Sequence, residues 1–467
     1  MDKRNFLILL LGVAVLLLVA NLLKPSTIEP NQWQVLILFI GVVLTVLWNR
    51  YHVTVVILMS LAIGMSLGLM TTAQALHGYS STVTWIIVAS FLFAKGFVKT
   101  GLGRRIALLF IRTLGTNSLR LGYSLALTDA ALAPVTASNT ARAGGITFPI
   151  SRSLARELGS RPGPTARKIG GYLLLTTFQA NVVTSAIFLT AMAANGLSVQ
   201  FAKEVAGVEI SWVLWFQAAI LPGIISLMIT PAIIHWLYPP TLTETPQATK
   251  FAKNELKVLG PMSQNEKILL VVFLILATTW ATSFIHGIST LGAALSALSI
   301  LLLLGVLHPK DISGESSAWE TLLWFGGYIS LAGTLSDTGL MKELAAASEK
   351  ILQGWDPNVS LLVLVVLYMY LHYAFASMTA QIIALYSTFL TLAVVAGCDP
   401  VISALLFCFL SSLYGCLTHY GDGAAPIFFG AGYIEIKDWW KVGFALSLFH
   451  LGVWFGLGLL WWKFLGL

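Results

Sequence analysis

The sequence predicts an all-α integral membrane protein with about 11 transmembrane helices and two re-entrant hairpins, arranged as two inverted repeats. Of its 467 residues, 57% are hydrophobic and only 10% are charged, and the mean hydropathy is +0.83. Several apolar runs reach about 17 residues or more, which is enough for a helix to cross roughly 30 Å of hydrocarbon. These runs include 6–23, 53–70, 268–284 and 291–307.

A short polar motif interrupts this apolar sequence twice. Ser138-Asn139-Thr140 recurs as Ser377-Met378-Thr379, 239 residues further along the chain. The windows around the two copies also share Ala before Ser, Ala after Thr, and then a long polar side chain. Thr-Gly-Leu segments at 100–102 and 338–340 repeat at nearly the same offset. Interrupted segments at corresponding places in two halves indicate a duplicated unit and point to a substrate site.

The basic residues predict the orientation. With a cytoplasmic N-terminus, 20 of the 27 Lys and Arg residues fall on the inner side, five fall outside, and Lys95 and Arg142 lie at membrane depth. Such a bias is typical of a protein whose basic loops stay in the cytoplasm. After an odd number of spans the C-terminus is expected outside. We therefore expect a multi-pass protein of the cell (plasma) membrane.

The first repeat is predicted to comprise residues 1–238. Its basic flanks place both ends of segment 121–156 on the cytoplasmic side, so this segment is expected to be a re-entrant hairpin with the first triplet at its tip. Segment 170–195 carries too many polar side chains for a helix that faces lipid, and it is predicted to be broken. The remaining expected elements are spans 6–23, 33–48, 53–70, 84–98 and 211–238 and an interfacial helix at 103–112.

A polar cytoplasmic linker, 239–264, is expected to lead into the second repeat, 265–467. This half repeats the order from the opposite side of the membrane, with an external-side hairpin at about 359–396 and a broken helix at 400–431. An amphipathic stretch at 341–350 is the expected counterpart of the interfacial helix. The remaining spans are expected at 268–284, 291–307, 320–336 and 439–463.

The two triplets contain residues that favour the start of a helix. Ser, Thr and Asn are strong N-caps, and each triplet precedes a mostly apolar run. Two helix N-termini facing each other near the bilayer midplane would offer free N–H groups and roughly half a positive charge each. That arrangement suits a small molecule with an anionic group at each end. Because a dicarboxylate carries about −2, Arg142 and His419 are candidates to supply the missing positive charge.

Other interpretations of these residues stay open at this point. The triplets could simply cap buried helices, and Arg142 could pair with Asp129 or a backbone carbonyl. Asp422 could bind a cation, pair with His419 or cap the following half-helix, and we favour the cap. His419, like His372, could also be a core histidine with satisfied hydrogen bonds. Ser185 and Thr190 are expected to line the cavity, and direct contact with substrate is left open.

Several functional classes lack support in the sequence. There is no P-loop and no His-Glu metalloprotease pattern, and the Gly-x-Ser-x-Gly match at 64–68 lies inside an apolar span. The three cysteines, Cys398, Cys408 and Cys416, lack metal-ligand spacing. The net charge of +7 is explained by membrane topology, so no nucleic-acid partner is expected. A channel would not need opposed hairpins. We therefore expect a carrier, not an enzyme.

Three stretches resemble the divalent anion:sodium symporter family, and in particular its exchanger branch of citrate/succinate, tartrate/succinate and 2-oxoglutarate/malate translocators. They are 138–145 (Ser-Asn-Thr-Ala-Arg-Ala-Gly-Gly), 179–185 (Gln-Ala-Asn-Val-Val-Thr-Ser), and the pair 417–421 (Leu-Thr-His-Tyr-Gly) with 428–433 (Phe-Phe-Gly-Ala-Gly-Tyr). The resemblance implies a homodimer whose transport domain slides past a scaffold, as an elevator. Sodium-coupled relatives carry Asn at the position of Met378, so the resemblance implies exchange without sodium dependence or another cofactor.

The sequence therefore predicts an antiporter of C4/C5 dicarboxylates such as malate, succinate, fumarate and 2-oxoglutarate. A sodium-coupled di- or tricarboxylate symporter and a citrate/succinate antiporter are the alternatives. No metal ligands are assigned. The residues expected to bind substrate are Ser138, Asn139, Thr140, Ser185, Thr190, Ser377, Met378, Thr379, His419 and Asp422.

Overall fold

The computed structural model describes residues 24, 28–48, 50–339 and 355–467. The predicted span 6–23 and the amphipathic stretch 341–350 lie outside the described residues. Within those residues the protein is helical, and they form no β-strand. The helices of the first half are α1 Pro30–Trp48, α2 Val53–Ser66, α3 Thr72–His77, α4 Thr82–Thr100, α5 Leu102–Leu114, α6 Ser118–Leu132, α7 Asn139–Arg142, α8 Phe148–Glu157, α9 Gly170–Ile187, α10 Ala193–Ala206 and α11 Trp212–Leu237.

The helices that follow begin inside the predicted linker. Residues 239–264 were expected to be merely polar, yet α12 forms there, because alanines and Phe251 give this stretch one apolar face. The helices are α12 Pro246–Leu259, α13 Gln264–Ala281, α14 Ser283–His286, α15 Thr290–Leu303, α16 Pro309–Ser313, α17 Ser316–Asp337, α18 Pro357–Tyr370, α19 Met378–Gln381, α20 Ser387–Val395, α21 Pro400–Leu413, α22 Ala425–Phe429, α23 Ile436–Leu451 and α24 Gly458–Phe464.

Six helical segments in the described part of the chain are long and apolar enough to cross a membrane. They are 82–100, 212–237, 264–281, 357–374, 378–395 and 436–464, and shorter apolar helices occupy 30–46, 53–66, 290–303 and 400–416. Local signals explain where several of these helices start. Ser211 and Ser263 each accept a hydrogen bond from a first-turn N–H group, and Asp356-Pro357 and Asp399-Pro400 combine an N-cap with proline at the first helical position. The predicted total of 11 spans stays a prediction.

Both segments predicted as hairpins are interrupted helices. The first consists of α6, a turn, α7, a π-helical turn at Ala143–Thr147, and α8. The second consists of α18, a turn, α19, a π-helical turn at Ile382–Tyr386, and α20. Within the two interrupted helices, α6 and α18, α7 and α19, the two π-helical turns, and α8 and α20 begin 239 positions apart, the same offset as the triplets. The local backbone therefore repeats along with the sequence motif.

Helix α9 lies at the centre of the packing. All of its residues from Gly170 to Ile187 are buried, and it packs against α6, α11 and α21. On the other side of the molecule, α17 packs against α2, α3 and α4, and α13 and α15 pack against α4. The interrupted helices and α9 thus form one packed group, and α17 with α1 to α4 forms another beside it.

Glycine at position 78 lets the turn after α3 lie directly against α17. A Cβ atom on Gly78 would collide with the backbone carbonyl of Gly326 and lie 2.9 Å from Cβ of Ile329. Its N–H group also donates to Ser330 Oγ at 2.9 Å. We expect Gly78→Ala to cost about 1–3 kcal/mol through overpacking and to lower the melting temperature by several degrees in a fluorescence-detected thermal assay in detergent. Gly333→Ala, in α17, is the control, since the nearest atom to its added Cβ is 3.8 Å away. Equal melting temperatures for the two variants would contradict this account.

Candidate substrate site

The first triplet starts helix α7. Ser138 has an extended backbone (φ −123°, ψ 109°), and its hydroxyl accepts a hydrogen bond from the N–H group of Ala141 at 3.0 Å. Ser138 therefore is the N-cap that its residue type predicts. Asn139 is buried, whereas Ser138 and Thr140 are partly exposed. The first N–H groups of any helix lack intrahelical acceptors, so this tip can receive an anionic group.

The second triplet does the same for α19. Ser377 is extended, and its hydroxyl accepts from the N–H group of Ala380 at 3.3 Å. Met378 is buried, and its carbonyl accepts a hydrogen bond from Tyr414 at 2.9 Å. Ser377 and Thr379 are partly exposed. The pattern of one buried middle residue between two partly exposed hydroxyl residues is therefore the same at both tips.

Segment 414–424, which follows α21, joins the two tips. Asn139 donates to both carboxylate oxygens of Asp422, at 3.1 and 2.9 Å. A Cβ atom on Gly415 would lie 2.8 Å from Met378 Sδ and 3.3 Å from Asp422 Oδ2. On the other side, a Cβ atom on Gly423 would lie 2.5 Å from Thr140 Oγ1. Both triplets thus contact the same broken segment, and glycine leaves the space that this approach requires.

Arg142 is completely buried and has a full set of acceptors. Its Nε group donates to Asp129 Oδ2 at 3.0 Å, and both side chains are inaccessible to solvent. The other guanidinium donors reach the carbonyls of Thr136 and Ala191 at 3.0 and 2.9 Å and the hydroxyls of Thr184 and Ser185 at 3.3 and 3.1 Å. These contacts can use all five N–H groups of arginine. The geometry favours the alternative interpretation from the sequence, in which Arg142 is a structural partner of Asp129.

The second hairpin has a neutral version of this contact. Gln381 stands 239 positions after Arg142, and Tyr368 stands 239 positions after Asp129. Gln381 donates to the carbonyl of Tyr368 at 2.7 Å and contacts His372 Nδ1 at 2.6 Å. His372 is buried and stacks on Tyr414, with ring centroids 4.1 Å apart. The long polar side chain after each triplet therefore connects α7 or α19 back to the arm that precedes it.

Ser185, Thr190 and His419, the other predicted site residues, form separate hydrogen bonds near the tips. The Ser185 hydroxyl donates to the carbonyl of Asn181 at 2.7 Å. Thr190 donates to the carbonyl of Pro134 and accepts from Trp212 Nε1 at 3.2 Å. His419 is partly exposed, accepts from Trp440 Nε1 at 3.2 Å and packs on the ring of Phe429. The charge-compensating roles of Arg142 and His419 stay predictions.

The contacts of Asp422 bear on the three roles that the sequence leaves open for it: a cation site, a pair with His419 and a cap. Its Oδ1 atom accepts from the N–H group of Ala424 at 2.7 Å, immediately before α22. No hydrogen bond joins Asp422 to His419 in the described structure. The bond to Ala424 closes a turn just before α22, and Ala424, the N-cap of that helix, makes no side-chain capping hydrogen bond, so the capping role of Asp422 stays a prediction. The link to Asn139 was not predicted, because nothing in the local sequence connects positions 139 and 422.

Two amides on α9 were missed as site residues. Gln179 donates to the carbonyl of Cys416 at 3.1 Å, and Asn181 donates to Asp129 Oδ1 at 3.0 Å. Their oxygens, Gln179 Oε1 and Asn181 Oδ1, are buried without a donor. In the sequence these residues belong to a segment too polar for a lipid-facing helix and to the 179–185 stretch that resembles the family, but neither was assigned to the site. No group of three or more His, Cys, Asp or Glu side chains within the described ranges has the arrangement of a metal site.

A cavity of about 350 Å³ adjoins the second tip. Its walls include Ser377 and Thr379 on one side and Tyr51, His52 and Trp324 on the other. Cavities that hold small organic ligands start at about 300 Å³, so a four- or five-carbon molecule fits. The partly exposed hydroxyl residues of the second triplet are thus accessible to a small ligand.

Apolar helices of membrane-spanning length, together with two interrupted helices whose capped ends both contact segment 414–424, are the architecture of a multi-pass membrane transporter. It belongs to the family described as the sodium:sulfate symporter transmembrane region, whose family model matches residues 3–467. The family predicted from the sequence, the divalent anion:sodium symporters, is thereby confirmed, and so is the prediction that the chain is not an enzyme.

Individual relatives match almost the full chain. A Bacillus subtilis (strain 168) protein named "Putative malate transporter YflS" is 44% identical, covering 98% of this chain and 96% of the relative. Dicarboxylate transporter 1, chloroplastic, of Spinacia oleracea is 40% identical, covering 95% of this chain and 78% of the relative. The crystal structure of the Alcanivorax borkumensis YdaH transporter matches with a TM-score of 0.54 and 15% identity, covering 85% of this chain and 90% of that one. This last similarity supports the fold alone.

Proposed function

We propose that the protein is a secondary active transporter that exchanges C4/C5 dicarboxylates, such as malate, succinate, fumarate and 2-oxoglutarate. The observation that carries the proposal is the convergence of two capped helix ends on segment 414–424, through Asn139 and Met378. Each end offers N–H groups and a positive partial charge, and two such ends match a molecule with two carboxylates. The names of the relatives from Bacillus subtilis and Spinacia oleracea support the same substrate class.

Exchange follows from the same geometry. Without an anion, two helix ends with unpaired N–H groups would have to cross the hydrophobic barrier, and each unsatisfied polar group there costs several kcal/mol. A bound dicarboxylate satisfies them in both directions of movement. The empty carrier is therefore expected to return slowly. Met378, whose thioether is a poor ligand for a hard cation, supports transport without sodium.

The proposed movement is that of an elevator. Helix α19 contacts α1, and the cavity at the second tip borders Tyr51 and His52, in the loop that Arg50 assigns to the cytoplasm. We take this arrangement to be the inward-facing one. In the proposal, the packed group around α9 carries the substrate past α17 and α1 to α4. We also propose that the protein is a homodimer in the plasma membrane, with a cytoplasmic N-terminus and an external C-terminus.

A cation-coupled symporter is the second candidate, and one observation favours it. Arg142 and Asp129 neutralise each other, so Asp422 adds a negative charge beside an anionic substrate. The oxygens Gln179 Oε1 and Asn181 Oδ1 are buried acceptors on the neighbouring helix α9. A sodium ion or a proton at this place would offset the charge. A citrate/succinate antiporter differs from the main proposal in the size and charge of one substrate, since citrate has a third carboxylate.

Counterflow in liposomes separates these candidates. Purified protein is reconstituted into vesicles with or without internal succinate, and uptake of labelled succinate is followed in sodium or choline buffer. We expect uptake to require internal dicarboxylate, to be unchanged by replacement of sodium, and to be competed by malate. Uptake into empty vesicles driven by a sodium or proton gradient alone would establish the symporter instead. Counterflow of labelled citrate against internal succinate, without counterflow of malate or 2-oxoglutarate, would favour the citrate/succinate antiporter.

A further inference from the structure

Helices α5 and α12 form an antiparallel pair that is fixed at both ends. Near one end, Arg104 pairs with Glu255, and Arg105 donates to Glu266 Oε1 at 2.6 Å and to the carbonyl of Gly260 at 2.9 Å. At the other end, the N–H group of Thr245 donates to the carbonyl of Thr116 at 2.9 Å. The two helices are therefore held in place, and these contacts fix the shape of the groove between them.

The helix pair lies at the level of the lipid headgroups. Helix α12 follows closely after α11, and Trp236 in the last turn of α11 is 78% exposed. The preceding residue, His235, contacts Ser118 Oγ at 3.1 Å, at the start of α6. Val258, on α12, is 83% exposed. Exposed tryptophan at the end of a span is typical of the membrane interface, so the groove faces the boundary between headgroups and acyl chains.

A basic cleft of about 700 Å³ lies at this pair. Four of the residues that line it are cations, and no acidic side chain does: the lining consists of Arg112, Lys250, Lys253, Asn254, Leu256 and Lys257. The nearest carboxylate along α12, Glu255, is occupied by Arg104. Within the described chain none of the four cations forms an ion pair. Like charges gathered in one cleft repel each other, and an anion would relieve that repulsion.

An apolar cavity of about 300 Å³ borders the same face of α5. Its walls are Gly101, just before α5, Arg104 and Leu108 of α5, mostly apolar side chains of α4, the first hairpin and α12, and Glu255 of α12, which is paired with Arg104. Arg112, in the basic cleft, continues this face at helical spacing. Val98, beside the cavity on α4, is 63% exposed. The apolar cavity and the basic cleft therefore lie one after the other along α5.

We propose that this groove binds an anionic glycerophospholipid of the inner leaflet. The phosphodiester lies between Arg112 and the lysines of α12, and part of an acyl chain lies in the apolar cavity. Clusters of Lys and Arg on an interfacial helix bind anionic lipid surfaces, and lysine stems can cover the apolar part of such a lipid. The bound lipid connects α12, which joins the two halves of the chain, to α5, which leads from α4 into the first hairpin.

Native mass spectrometry of the purified full-length protein tests this proposal. The protein in detergent is titrated with phosphatidylglycerol or with phosphatidylcholine, and retained lipid is counted. The test variant is K250Q/K253Q/K257Q. The control is R161Q/K310Q/K441Q, which removes three exposed cations from outside the cleft. We expect the test variant to bind phosphatidylglycerol about 100-fold more weakly, while the control keeps its binding and phosphatidylcholine binding stays weak in all three proteins.

Two results would overturn the proposal. One is equal phosphatidylglycerol retention by the test variant and the wild type. The other is full displacement of the lipid by millimolar inorganic phosphate, which would identify the cleft as a site for soluble phosphate. Thermal unfolding of both variants shows whether they are folded. The outcome is independent of the transported substrate, since succinate counterflow is measured separately.

Discussion

Replacing Asn139 with alanine is expected to reduce succinate counterflow by roughly 10- to 100-fold while the protein stays folded. Asn139 is the side chain that connects the first tip to Asp422, with two hydrogen bonds to one carboxylate. Losing a hydrogen bond to a charged group costs about 1.5–3 kcal/mol, which corresponds to that range of affinity. Asp422 would also be left with fewer donors beside the anionic substrate. The measurement is the concentration dependence of counterflow in liposomes.

The matched control is Asn117→Ala. Asn117 caps α6 by accepting from the N–H group of Arg120 at 2.9 Å. It lies at the end of α6 that is remote from the first tip, and its backbone pairs with that of Glu244. Its loss is expected to lower stability by about 1 kcal/mol and to leave counterflow near the wild-type level. Wild-type counterflow by the Asn139 variant would remove the first tip from the site. Loss of folding by the Asn139 variant would show that its hydrogen bonds to Asp422 hold the fold together, and would contradict the expectation that this variant stays folded.

The two triplets could be predicted because their structure is set locally. A serine that caps a one-turn helix needs only its own side chain and the N–H group three residues on, so the shared Ala-Ser-x-Thr-Ala pattern gives the same result at positions 138 and 377. The boundaries of the interrupted helices are local for the same reason. Residues 118–157 and 357–395 agree with the predicted hairpins to within a few positions.

The contact between Asn139 and Asp422 could not be predicted in this way. The two residues are 283 positions apart, and Gly421-Asp422-Gly423 is equally compatible with a cap, an ion pair or a cation site. Only the packing of α9 against the first interrupted helix and against α21, which leads into segment 414–424, brings them together. Helix α12 was missed for a different reason. Its three lysines and one acidic residue suggested a solvated linker, whereas its alanines pack against α5.

Variants of the Arg142–Asp129 pair test whether Arg142 offsets the charge of the substrate or only stabilises the fold. Arg142→Ala leaves Asp129 buried without its counterion, and breaking a buried pair in this way costs about 3–5 kcal/mol. We therefore expect this variant to melt much earlier than the wild type and to exchange little succinate. Asp129→Ala should behave similarly, because it leaves an unpaired guanidinium in the same place. Melting temperature and counterflow are measured for each.

The double variant Asp129→Leu with Arg142→Met separates structure from charge compensation. Replacing both partners with apolar side chains removes the unpaired charge and is often nearly neutral, although the donors of Asn181 and Thr184 lose an acceptor. We expect most of the stability to return. If Arg142 only connects the arms of the hairpin, as Gln381 does in the second hairpin, counterflow returns with stability. If Arg142 offsets the charge of the substrate, a stable double variant still fails to exchange or becomes uncoupled. The contacts of Arg142 favour the first outcome, because every N–H group of its guanidinium already has an acceptor within the protein.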